Sequence, residues 1–376
     1  MEITRALYDI LLTDLLPGKV NILYGARRVG KTFLLRKICK DAGLTYLWLN
    51  GEEAETAELL RSRNTATLKR LIGEVQLLVL DEAQAVPEIG KTLKLIVDEM
   101  PHLRMLASGS SAFDLHNFLG EPLVGRAFWH EMLPIAQIEL KRHENLIETR
   151  QRLTERLIYG AYPEVITLGS NEQKERYLRD LVQAYLLKDL LSFEGIRNAS
   201  KIMDLLRLIA FQIGAQVSVQ ELGQQLGMSK NTVEKYLNLL EKVYVLRKLT
   251  GFSQNLRKEI TKSPRYYFWD NGIRNAIVND FKMPEFRNDI GPLWENYLLA
   301  ERAKKLKYEQ IFKEIYFWRT YDQQEIDCIE VRNNQLDAFE FKWQERPVKI
   351  PAAFSANYPD ATFEVIHREN YLDWIS

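Results

Sequence analysis

The stretch "VNILYGARRVGKTFLL", Val20 to Leu35, constrains the fold more than any other part of the chain. An apolar run ends at Gly25, and a helical pattern runs on from Lys31 to a stop at Gly43. The segment Gly25 to Thr32 is therefore predicted to connect a buried strand to a helix. It fits G-x-x-x-x-G-K-[ST] in full, and each fixed position has a physical task. Gly25 and Gly30 let the backbone turn so that successive amides point inward at phosphate oxygens, aided by the positive end of the following helix. The candidate phosphate-binding residues are Gly25, Ala26, Arg27, Arg28, Val29, Gly30, Lys31, Thr32 and Phe33. Lys31 is placed to reach the β and γ phosphates of a nucleoside triphosphate such as ATP, and the Thr32 hydroxyl to ligate Mg²⁺.

Further on, "VQLLVLDEAQ" reads as a buried strand, Val75 to Leu80, that ends in two carboxylates. Beside the loop-bearing strand, Asp81 would hold Mg²⁺ through water and Glu82 would polarise the attacking water. The alternative is an acidic helix cap after a core strand. A third apolar run, "LRMLASGSS", ends in hydroxyls, with Ser108 or Ser110 placed to sense a γ-phosphate or simply to cap a turn. In "EPLVGRAFWHEMLPIAQIEL", Arg126 follows a glycine in a polar interruption, and an arginine near the γ-phosphate would neutralise charge that develops during transfer.

The rest of the chain, 376 residues in all, is too long for one core and predicts several domains. Lys plus Arg (51) balances Asp plus Glu (51), so any nucleic-acid surface must be a local patch. Cys39 and Cys328 form no metal or disulfide pattern, which fits a reducing cytoplasm. No apolar run reaches the ~18 residues of a span, and the opening "MEITRALYDILLTDLLPG" is acidic and amphipathic, so neither a membrane segment nor a signal peptide is expected.

"YGARRVGKTFLL", "LLVLDEAQ", "LASGSS", "LVGRAFWHEMLPIAQIEL", "GAYPEV", "YFWDNGIRNAI" and "GPLWENYLLAER" together resemble a prokaryotic family of AAA-type ATPases related to archaeal ATPases and the STAND group. In that family the ATPase precedes a C-terminal domain of unknown function. The resemblance implies ATP binding by Gly30, Lys31 and Thr32, hydrolysis through Asp81 and Glu82, and a contribution from Arg126, in cis or from a neighbour in a homo-oligomer. It singles out "GAYPE" and Asp189 without assigning either a task.

Leu140 to Phe211 has apolar residues at helical intervals and reads as a helical lid. Next, "VQELGQQLG", a turn, and "KNTVEKYLNLLEKV" capped by Ser229 form a helix-turn-helix, with "VYVLRKLTG…RYYFWD" as two strands of a wing. From Lys230 to Arg265 there are nine Lys or Arg against three Glu. Lys230, Asn231, Thr232 and Lys235 would approach a DNA groove; the other reading is a lid or protein-partner surface.

The last segment reads as a helix bearing Glu295, then strands "IYFWRT", "EIDCIEV", "QLDAFEFKW" and "FEVIH". Helix Glu295, strand Asp327 and Glu340-x-Lys342 occur in the order of a PD-(D/E)XK nuclease fold. Asp327 and Glu340 would hold a second Mg²⁺ or Mn²⁺, Glu295 would complete the site, and Lys342 would orient water. The alternative is an exposed strand face with a surface ion pair. The expected chain is thus α/β and multidomain: a parallel-sheet P-loop ATPase (1–138), a helical lid (139–211), a winged helix (212–285) and a nuclease-like α/β domain (286–376). Two functions are consistent with it: an ATPase that positions a DNA-binding and nuclease-like module, or an ATP-dependent assembly switch whose later domains only dock partners.

Overall fold

In the computed structural model, residues 2–109, 123–186, 199–253 and 263–376 are described. Ser110 and Asp189 lie outside them, as do Arg257, Lys258 and Lys262 of the basic run.

The chain forms two compact units, 2–134 with 242–244, and 135–241 with 245–376. Segments 139–211 and 286–376, and all of 212–285 except 242–244, fall within the second unit.

In the first unit, β1 (Val20–Gly25), β2 (Tyr46–Asn50), β3 (Leu77–Asp81), β4 (Arg104–Gly109) and β5 (Ala127–Met132) build one sheet in the order β2-β3-β4-β1-β5. Every pairing is parallel. Parallel strands need cover on both faces, which is why β1, β3 and β4 read as near-continuous apolar runs. On one face, Leu60, Leu68, Ile72, Leu93 and Ile96 from three helices pack with Ile22, Leu78 and Leu80. On the other, the helices Leu7–Thr13 and Lys31–Asp41 pack together through buried Leu11, Leu34, Leu35 and Ile38. Gly43 stands just past the second helix at φ 65, the left-handed backbone that suits a helix stop.

The second unit contains two sheets. The helices Ala199–Phe211, Val219–Leu226 and Lys230–Lys242 precede a two-stranded antiparallel ribbon, β6 (Leu246–Leu249) and β7 (Arg265–Phe268), and Gln216 bridges to Arg265. The other sheet has the order β11-β10-β9-β8, from β8 (Glu314–Arg319), β9 (Glu325–Arg332), β10 (Gln335–Phe341) and β11 (Thr362–Ile366). β9 and β10 are joined by Asn333 (φ 50) and Asn334 (φ 66), the paired left-handed residues of a tight hairpin. β11 pairs parallel to β10 after a crossover containing the helix Ala352–Asn357.

In the helix Ile290–Tyr308, Trp294, Tyr297 and Leu298 are buried. Asn296, Leu299, Ala300 and Glu301 are buried as well, so this helix is a central strut. Polar groups on it are satisfied internally: Asn296 accepts from Phe268 N at 2.6 Å and donates to Phe268 O at 3.1 Å. Buried Asp270 accepts from Ala161 N at 2.7 Å and from Ile273 N at 3.2 Å. The "GAYPE" elbow and the "WDNG" motif thus lock into each other. Gly160 has φ 73, and a Cβ there would run into the Asp270 carboxylate; one on Gly272 would strike the carbonyl of Tyr159. Among the described residues, no helix is long and apolar enough to cross a membrane.

Candidate functional site

The loop after β1 sits at the carboxyl end of the five-stranded sheet, where β3 and β4 also end. Arg28 (φ 63) and Gly30 (φ 97) take left-handed backbone, the conformation that curls successive N–H groups around an anion. Gly25 has φ 146, and any Cβ would collide with the carbonyl of Met132 on β5, so glycine is required there by close approach. The helix from Lys31 begins at Gly30 with its first amides facing the loop's concavity.

Lys31 is buried, and its ammonium donates to Gly25 O at 3.0 Å and Ala26 O at 2.7 Å. The Thr32 hydroxyl donates to Asp81 Oδ2 at 2.9 Å. These two side chains come from different elements and present adjacent oxygen donors, the kind of set a hard divalent cation takes. Arg27 is half-buried, while Arg28 and Phe33 are exposed.

Ser108 is fully buried. Its hydroxyl donates to the other oxygen of Asp81 and accepts from Glu82 N at 3.2 Å. The β3–β4 register sets Leu80 opposite Ala107, which puts Ser108 beside Asp81, where it ties the acidic pair together.

Arg126 is placed at the other end of the sheet. Its carbonyl accepts from Val20 N at 2.9 Å, so it lies at the amino end of β1, whereas the phosphate loop leaves the carboxyl end. An extended strand of that length separates the two by about 16 Å. The guanidinium instead pairs with Asp98, Nε to Oδ1 at 2.8 Å.

One residue gives no signal in the sequence. Buried Arg5 donates from Nη1 to Val29 O at 2.6 Å and from Nη2 to Leu133 O at 2.7 Å, bracing the loop from behind.

In the second unit, Lys230, Asn231 and Lys235 are exposed on the first turns of their helix. Lys230 pairs with Glu234 at 3.6 Å, a surface pair open to exchange. Thr232 is drawn into the cap, its N–H donating to Ser229 Oγ at 3.2 Å and its hydroxyl bonding to that oxygen at 2.8 Å.

The four candidate nuclease residues lie on the helix Ile290–Tyr308 and on or just after β9 and β10. Phe339 pairs with Cys328 across antiparallel β9 and β10, so Glu340 faces Asp327 directly. Burial, with Glu295 and Glu340 nearby, holds the Asp327 carboxyl well above the usual carboxylate range. Glu295, raised chiefly by burial, is taken up by Tyr267 Oη at 2.5 Å and Arg265 Nη1 at 3.4 Å. Lys342 pairs with Glu340 at 2.5 Å. Among the described residues, no three His, Cys, Asp or Glu side chains are arranged to hold a metal ion. Asp327 thus faces Glu340, Glu340 pairs with Lys342, and Glu295 is engaged by Tyr267 and Arg265.

The strand order β2-β3-β4-β1-β5, with the glycine loop after β1 and the acidic pair after β3, defines an AAA-type P-loop domain, and residues 17–141 match the AAA domain family. Residues 150–283 and 290–365 match two domains of unknown function, DUF8612 and DUF4143. The chain is 28% identical over 335 residues to the uncharacterized protein Rv2008c of Mycobacterium tuberculosis, spanning 87% of this chain and 71% of that protein. It is 23% identical over 310 residues to the uncharacterized protein MJ1544 of Methanocaldococcus jannaschii, 77% of this chain and 68% of that one. Among solved structures, the replication initiator DnaA bound to AMPPCP and single-stranded DNA aligns with TM-score 0.33 and 19% identity, covering 62% of this chain and 86% of that one. A variant of RuvB from Thermotoga maritima aligns with TM-score 0.34 and 17% identity, covering 64% of this chain and 85% of that one. Likeness at that level does not define the class, which rests on the topology and the family match.

Proposed function

We propose that the protein binds and hydrolyses ATP with Mg²⁺ and couples its nucleotide state to duplex DNA through the helix Lys230–Lys242, read as the recognition helix of a winged helix. The observation that carries the ATPase reading is the 2.9 Å contact between Thr32 and Asp81, which brings loop hydroxyl and strand carboxylate to one point. When bound there, Mg²⁺ would neutralise charge on the β and γ phosphates. Lys31 exchanges two carbonyls for phosphate oxygens, and the loop amides orient the triphosphate in line. Glu82 orients the attacking water and accepts its proton. Replacing Lys31 by Ala removes the one buried cation of the loop, so ATP affinity should fall about 100-fold by equilibrium binding. Unchanged affinity would remove Lys31 from the site.

The exposed basic residues Lys230 and Lys235 on a capped helix support duplex DNA as partner. Binding should weaken with salt, and Lys230→Glu with Lys235→Glu should reduce the slope of log affinity against log salt by about two. No binding at low salt, together with turnover that depends on protein concentration and ignores DNA, would favour the assembly switch. In an assembly, Arg126 would serve a neighbouring subunit's nucleotide.

The β8–β11 domain is read as a docking scaffold related to nucleases in element order. Linear, supercoiled and single-stranded DNA should survive the intact protein in Mg²⁺ or Mn²⁺. Cleavage that disappears in Glu340→Ala would restore the nuclease reading.

A further inference from the structure

We infer that Gln84 is a positioning residue for Glu82, a role that rests on the reading of Glu82 as the group that activates water. Glu82 is held unusually tightly at its backbone. It takes the left-handed conformation (φ 51, ψ 44), rare for a residue with a long side chain. Its N–H donates to Ser108, and its carbonyl accepts from Ala85 N at 3.0 Å. Gly51, at the end of β2, closes against it: a Cβ on Gly51 would come within 2.5 Å of Glu82 O.

A fixed backbone does not aim a carboxylate, because glutamate has three further side-chain torsions. Those torsions are restrained by Gln84, whose Nε2 donates to Glu82 Oε2 at 2.5 Å. The tight turn Ala83–Ala85 makes this bond possible by folding residue 84 back over residue 82. The donor's chemistry matters. Lysine or arginine in its place would pair with the carboxylate and lower its basicity. A neutral amide occupies one lone pair, leaves the charge in place, and lets the second oxygen face water. Ser108 accepts from the Glu82 N–H and donates to the Asp81 carboxylate, while Gln84 donates to the Glu82 carboxylate, so the side chains of Asp81 and Glu82 are oriented by separate donors.

The test is single-turnover ATP hydrolysis by the full chain in four forms: wild type, Gln84→Ala, Glu82→Gln, and the double variant. Gln84→Ala is expected to lower the hydrolysis rate about tenfold, with ATP affinity and thermal midpoint unchanged. In the Glu82→Gln background the same change should cost nothing, because there is no carboxylate left to aim. An unchanged rate in Gln84→Ala beside a strong Glu82→Gln defect would overturn the positioning role alone. An equal loss in both backgrounds would do the same. A Glu82→Gln variant as fast as wild type would sink the positioning role together with the assignment of Glu82 beneath it.

Discussion

Glu82→Gln should slow ATP turnover about 10²–10⁴-fold while leaving ATP binding intact. The substitution keeps size and hydrogen-bonding reach but removes the lone-pair basicity needed to accept a proton from water. Binding should survive because Lys31, Thr32 and Asp81, with the loop amides, are separate from it. The backbone at position 82 should also hold, since its restraints are main-chain bonds and the approach of Gly51. The measurement is steady-state phosphate release beside equilibrium binding of a non-hydrolysable analogue. A variant that releases phosphate at the wild-type rate would assign water activation to another group. A variant that loses both properties would mean that Glu82 supports the fold of the site.

Asp270→Ala should destabilise the second unit by about 3 kcal/mol, because it orphans two buried backbone donors, Ala161 N and Ile273 N. The carboxylate also fills the space opposite Gly160, so its loss leaves a cavity under the "GAYPE" elbow. Asp270→Asn should recover part of the loss by keeping one acceptor oxygen. Chemical denaturation monitored by tryptophan fluorescence would report both, since Trp294 is fully buried in this unit. Equal stability of wild type and Asp270→Ala would show that the elbow is held by packing alone.

The ATPase loop and acidic strand are legible in sequence because their constraints are local: glycines at fixed spacing, an apolar run, then two carboxylates. The same holds for the Asn333–Asn334 hairpin, whose left-handed residues are a turn's own requirement. β2 and β5 are not legible, because "YLWLN" is an edge strand with little burial and "AFWHEM" carries His130 and Glu131. Without β5 in view, nothing in "LVGRAF" tells which end of the sheet the arginine occupies. Arg5 and Gln84 escape for a related reason, since neither bond follows from periodicity. Arg5 reaches the loop from 24 residues away in sequence, and Gln84 depends on a turn whose shape is set by Glu82 itself. In the second unit the element order is readable, but the bonds that Tyr267 and Arg265 make to Glu295 are not, because both residues come from a strand the pattern assigns to a wing.

The inward fold of Lys31 bears on how a nucleotide is received. Ordering a free lysine on binding would forfeit about 2 kcal/mol of side-chain entropy. Here the ammonium is already desolvated and pinned between Gly25 O and Ala26 O, so that loss is incurred when the chain folds. The site is preorganised: the arriving phosphate swaps one set of oxygens for another around a stationary charge, and discrimination falls on ligands that outcompete two backbone carbonyls. A triphosphate can do so, whereas a neutral nucleoside cannot.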